Sequence, residues 1–184
     1  MERVHSMFGK YLNVLQLISY LGDSIDGRKR LQKLVYLVQQ MGGPFKEVFQ
    51  YHLYGPFSEQ LANELEEMKG FGLVREIPEP AYSGRKYKYS ITEEGKRLLR
   101  SMPNSGLKPF EELIRDLGHR NARDLELMAT SLFLSKNARG VDENAIVKRV
   151  KDLKSEQKYS NEEIEESLEY LRSHGFLQNS NERA

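Results

Sequence analysis

The stretch Phe49 to Leu65, FQYHLYGPFSEQLANEL, constrains the fold more than any other. Phe49, Tyr51 and Leu53 alternate with Gln50, His52 and Tyr54, the period-two pattern of an extended segment with one buried face. Gly55-Pro56 is expected to stop that segment, because proline has no N–H for a ladder and glycine permits a sharp turn. Ser58 then fits a helix N-cap, with Glu59 in the first turn at the positive end of the helix dipole. Leu61, Leu65 and Met68 follow at helical spacing. An aromatic arm, a hard turn and an amphipathic helix together fix a helix against a core. Tyr51, Tyr54, Gly55, Pro56 and Ser58 are therefore expected to be structural.

Two helices precede this stretch. Residues 7–21 carry Tyr11, Leu12, Leu15, Ile18 and Leu21 on one face, widened by Val14 and Leu17, so this helix should be buried on more than one side. The second runs from Arg28 to Met41 on Leu31, Leu34, Val35 and Val38, and closes at Gly42-Gly43-Pro44. Arg28, Lys29, Arg30 and Lys33 crowd its start, where cations oppose the dipole. They read either as an anion-facing end or as a solvated start partnered by Asp23 and Asp26.

After the third helix, Leu73, Val74 and Ile77 read as a short strand, and Arg85 to Ile91 as a second, with Tyr87, Tyr89 and Ile91 on one face. Thr92 caps a fourth helix. Three helices, a hairpin with a basic turn and a further helix are the order of a winged helix, expected over residues 1–103. Met102-Pro103-Asn104-Ser105-Gly106 reads as a boundary. A helical domain is expected over 107–178, with Asn121 as a cap and Ser160 with Glu163 as a capping box, before a polar tail at 179–184. Leu65–Leu73 and Leu168–Leu177 both end a helix in Gly and Phe. Duplication and common helix-stop chemistry account for that equally. The fold class is thus mainly α with a small β-hairpin: a winged helix-turn-helix followed by a helical domain.

The residues Leu31, Gln32, Lys33, Leu34 and Tyr36, followed by Tyr54, Gly55 and Pro56, resemble the YwgA-like proteins of bacteria and archaea over most of the chain. The first half is more distantly similar to the Panacea antitoxin domain, in which a Leu-Gln-Lys-Leu-aromatic helix precedes a Tyr-Gly-Pro turn. It departs from that pattern at Phe57-Ser58. The Panacea resemblance implies action through protein contacts.

Composition removes several chemistries. The chain has no cysteine, which excludes disulfides, thiolate nucleophiles and Cys-ligated metals. The four histidines, His5, His52, His119 and His174, have no metal-ligand spacing, and no phosphate-cradling glycine motif or nucleophile elbow is present. No enzyme, metal or cofactor is expected. No run approaches the ~18 apolar residues of a membrane span, and the N-terminus lacks the apolar run of a signal peptide, so a cytoplasmic protein is expected.

The net charge of +1 gives no general attraction to nucleic acid. Two readings remain. In the first, the chain is a DNA-binding transcriptional regulator that grips duplex phosphates with Arg28, Lys29, Arg30 and Lys33 and with the wing residues Arg85, Lys86 and Lys88. In the second it is a protein-interaction module of antitoxin or adaptor type, without DNA binding. The outward face of its third helix, Glu59, Asn63, Glu66 and Glu67, then docks a basic protein partner. A homodimer is compatible with either. A positive strip joining residues 28–33 to 85–88 favours DNA, and a strip interrupted by the carboxylates of 59–67 favours protein.

Overall fold

The computed structural model describes residues 2–80, 86–102, 106–137 and 143–177. The first helix, α1 (Glu2–Tyr20), buries Tyr11, Leu12, Val14, Leu15, Leu17 and Ile18, the wide face expected of it. A short strand, β1 (Ser24–Asp26), separates it from α2 (Arg28–Gln40). The third helix is α3 (Glu59–Gly70). A hairpin of β4 (Val74–Glu79) and β5 (Lys86–Ile91) follows, with Val74 opposite Ile91 and Glu79 opposite Lys86. β1 pairs with the other edge of β5, Ile25 opposite Tyr89, so the sheet order is β1-β5-β4. This is a winged helix. Tyr89 and Ile91 point inward as their alternation requires.

Local capping chemistry sets the helix starts. Ser58 Oγ accepts from the Leu61 N–H at 3.2 Å. Thr92 Oγ1 accepts from Gly95 N–H at 3.1 Å and opens α4 (Glu93–Ser101). Asn121 Oδ1 accepts from Asp124 N–H at 2.9 Å and opens α6 (Ala122–Asn137). Ser160 and Glu163 form the reciprocal capping box of the last helix, Asn161–Ser173.

One expectation is corrected between α2 and α3. The extended arm is a strand, β2 (Gln50–His52), and Gly55-Pro56 does not end it: Gly55–Phe57 is the returning strand β3, paired so that Tyr51 faces Pro56. The chain reverses at Leu53-Tyr54 instead. Both keep negative φ, and Gly55 at φ 79° supplies the left-handed residue that follows such a turn. A two-stranded ribbon is all edge, and edges tolerate a residue without an N–H. Because the turn starts at Leu53, that side chain is 61% exposed and leaves the buried face on which its alternation with Tyr51 placed it.

The second half comprises α5 (Glu111–Gly118), α6, α7 (Glu143–Leu153) and α8 (Asn161–Ser173). One core crosses the expected boundary: Leu107, Ile114, Leu117, Leu125, Met128 and Leu132 pack with the buried faces of α1 and α2. A smaller core of Leu127, Ile146, Val150, Tyr159, Ile164 and Leu168 joins α6, α7 and α8. α6 is therefore covered on two sides. The similar helix ends share one stop geometry: Gly72 and Gly175 both adopt positive φ, and Leu73 and Phe176 each donate back into the last turn, to Met68 O and Leu171 O.

Candidate functional site

The motif of α2 and the hairpin is buried and forms a clamp. The Gln32 side chain is 3% exposed and brackets Ser58: its amide donates to Ser58 O at 2.8 Å and its carbonyl accepts from Ser58 N–H at 2.9 Å. Lys33 is 2% exposed and donates to Pro56 O at 2.6 Å. Tyr36 meets Phe49 edge-to-face at 5.0 Å, and Phe133 of α6 packs on Tyr36 and Tyr51. Replacing Gln32 by leucine leaves the buried Ser58 N–H without a partner and removes one of two donors from Ser58 O, which keeps Ala62 N–H, and urea unfolding is expected to show a loss of about 2 kcal/mol.

Lys33 therefore leaves the set of cations expected to grip DNA. The charge-run reading treats every Lys at a helix start as solvated, yet position 33 falls on the inner face with Leu34. Burial lowers its pKa from the ordinary 10.5 to about 8, opposed by the nearby Glu126. Between those values the unfolded chain binds more protons than the folded one, so the cost of burying the ammonium is full below pH 8 and fades as pH rises. Wild type is expected to gain stability relative to Lys33→Met between pH 8 and pH 10, measured by paired urea melts.

Most of the remaining basic residues face carboxylates and carbonyls of their own chain. Arg28 Nε donates to the Tyr89 hydroxyl at 2.6 Å, and its guanidinium pairs with Glu66 of α3 and with Glu76 at 3.2 Å. Tyr89 donates in turn to Glu76 at 2.5 Å. This bond, then Lys69 and Arg28, holds the Glu76 carboxyl below its usual range, while burial pushes Tyr89 up to about 12. Arg30 donates to Gly118 O at 2.7 Å and Arg120 O at 3.2 Å, and lies 3.7 Å from Asp26. Lys86 pairs with Glu79 at 3.2 Å, and Lys88 lies 4.0 Å from Asp26. Lys29 sits over the Tyr54 ring, 3.0 Å from its centroid. Arg85 lies outside the described residues. Of the two aspartates expected beside this helix start, Asp26 takes that role and Asp23 pairs with Lys96 at 2.9 Å.

On α3, Glu59, Asn63, Glu66 and Glu67 are exposed, as helical spacing placed them. Their charge is not open, however. Glu66 is paired with Arg28 and Lys69, and Glu67 with Lys10 at 2.6 Å and the Tyr11 hydroxyl at 2.7 Å. Glu64 is buried, which raises its pKa. The expected field for a basic partner is thus weakened to Glu59, Asn63 and Gln60.

Sequence reasoning missed the apolar groups beside this helix. Leu53 and Tyr54, at the hairpin tip, are 61% and 39% exposed, and Phe71, just past α3, is 46% exposed. Phe71 tops a cluster with Phe8 at 5.4 Å and Tyr11 at 5.9 Å. Arg28 and Lys29, adjacent at the start of α2, touch Glu66 of α3 and Tyr54 of the tip respectively.

The fold is a winged helix continued by a helical half that shares its core. The chain belongs to the YwgA family: it is 33% identical over 165 residues to the protein named "Uncharacterized protein YwgA" of Bacillus subtilis (strain 168), covering 90% of this chain and 96% of that protein. No family model matches the chain. Among the described residues, no helix is long and apolar enough to cross a membrane.

Proposed function

We propose that this chain is a protein-interaction module of adaptor type built on a winged-helix scaffold, and that it does not read DNA. One observation carries this reading: of the six described cations expected to grip phosphates, four are engaged by carboxylates or carbonyls within the chain. Arg28 meets Glu66 and Glu76, Arg30 is bound by carbonyls, Lys33 is buried, and Lys86 meets Glu79. Counterion release from DNA needs cations available to the phosphates, and breaking an existing ion pair cancels much of that gain. The positive strip between α2 and the wing is interrupted by Glu66, Glu76 and Asp26.

The surface beside α3 has the composition of a protein contact instead. Aromatic and aliphatic groups, Leu53, Tyr54 and Phe71, flank a helix face whose charges are mostly compensated. The partner in this reading presents an apolar patch with polar edges more than a run of basic residues. The test is affinity capture from the source organism with wild type and with a Leu53→Ser, Tyr54→Ser, Phe71→Ser triple variant. A partner held by wild type and lost by the folded triple variant is expected. A partner held equally by both removes this surface from the reading.

The DNA reading retains one observation in its favour. Lys86 and Lys88 on the wing are 50% and 38% exposed, and their distances to Asp26 are long.

A further inference from the structure

A cleft of about 450 Å³ opens on a different side of the molecule, where the end of α1, β1, the start of α2, β5 and the end of α5 meet. Its walls include Tyr20, Asp26, Arg30, Lys88, Arg115 and His119. Two guanidinium groups, one ammonium and an imidazole thus line a cleft with one carboxylate among its walls, and Arg115 is also paired with Glu111, which is not in the lining. That carboxylate is shared thinly: Arg30 at 3.7 Å, Lys86 at 3.8 Å and Lys88 at 4.0 Å all lie beyond hydrogen-bond distance. Among the described residues, the Lys88 ammonium has no hydrogen-bonded partner.

Two of the cations are held in place. The Arg30 guanidinium is fixed by Gly118 O and Arg120 O, and one of its terminal nitrogens faces Asp26. Arg115 is fixed by Glu111 at 2.9 Å and by Tyr20 O at 2.9 Å, with its guanidinium 5.8 Å from the Tyr20 ring. Cations oriented before a ligand arrives lose little freedom on binding it. The volume falls in the range of small-molecule sites, and Tyr20 offers an aromatic wall for a carbon skeleton.

From this geometry we infer that the cleft binds a small organic oxyanion, a molecule with two or more carboxylate or phosphate groups. Its anionic groups replace Asp26 as the partner of Lys88 and Arg30 and reach Arg115 and His119 at the other wall. The ligand bridges the winged helix and the helical half, because Lys88 and Arg30 belong to the first and Arg115 and His119 to the second. The inference is independent of the partner surface beside α3.

Calorimetric titration of the full chain with citrate and with pyrophosphate, against sodium chloride at matched ionic strength, tests it. Saturable one-to-one binding of at least one probe is expected, and the stronger one identifies carboxylate or phosphate chemistry. Lys88→Gln with Arg115→Gln, at a half-buried and an exposed position, is expected to weaken that binding by about tenfold or more. Should that variant fail to fold, amide shifts in wild type provide the same test: residues 24–26, 88 and 119 must move with the bound probe. Absence of saturable binding at millimolar probe overturns the proposal. So does equal binding by the folded double variant, or shifts located elsewhere. Displacement of the bound probe by a short DNA duplex also overturns it, because the same cations then serve a phosphate backbone.

Discussion

Gly55→Val lowers the stability of this protein by about 3–4 kcal/mol, expected as a fall of roughly 10 °C in melting temperature. Two costs add. Gly55 sits at φ 79°, a conformation that strains any side chain and a β-branched one most. A Cβ there also lies 2.6 Å from Thr130 Oγ1, on a fully buried face of α6. The hairpin cannot lift to make room, because Lys33 holds Pro56 and Gln32 holds Ser58 on the next residues. Gly55→Ala is expected to have the same sign and a smaller size. Adding Thr130→Ala to Gly55→Ala removes the contact and leaves the φ strain, so partial recovery separates the two. An unchanged melting curve for Gly55→Val contradicts the description of the clamp.

Glu126→Ala is the second large effect, at about 3–5 kcal/mol. Glu126 lies under the same hairpin and accepts from Lys154 Nζ at 2.7 Å, a lysine whose side chain is wholly buried. The Lys154 ammonium also donates to Leu53 O at 2.7 Å, tying the helical half to the hairpin turn. Glu126 further offsets the burial of Lys33. Its removal leaves two buried cations with carbonyls as their remaining partners. The double variant Glu126→Leu, Lys154→Met is expected to regain most of the loss, since an apolar pair of similar volume replaces a buried ion pair at little cost. Chemical denaturation of the single and double variants measures both numbers. A single variant as stable as wild type rules out the buried pair.

What the sequence made legible was local. The caps at Ser58, Thr92, Asn121 and Ser160 depend on residues three apart, and each forms its expected bond. The inward face of β5 follows from alternation alone. β1 was not legible: three residues carry too little pattern, and pairing with a strand more than sixty residues later creates it. Pro56 concealed β3, because a proline reads as a stop until the ribbon is seen to be all edge. The candidate site suffered most. Arg28 meets Glu66 and Glu76 across 38 and 48 positions, and Lys154 meets Leu53 across 101. Such distant partners leave no periodic trace, so a cation committed to the fold and a cation open to phosphate look the same in the sequence.

The commitment of those cations is the central claim, and a fluorescence-anisotropy titration with duplex fragments of the source genome at two salt concentrations tests it most directly. No preferred fragment and no more than feeble binding at low salt are expected, unchanged by Lys86→Glu with Lys88→Glu. Tight binding to one fragment that weakens steeply with salt and is abolished by that double variant would contradict it, and would make the wing a phosphate grip after all.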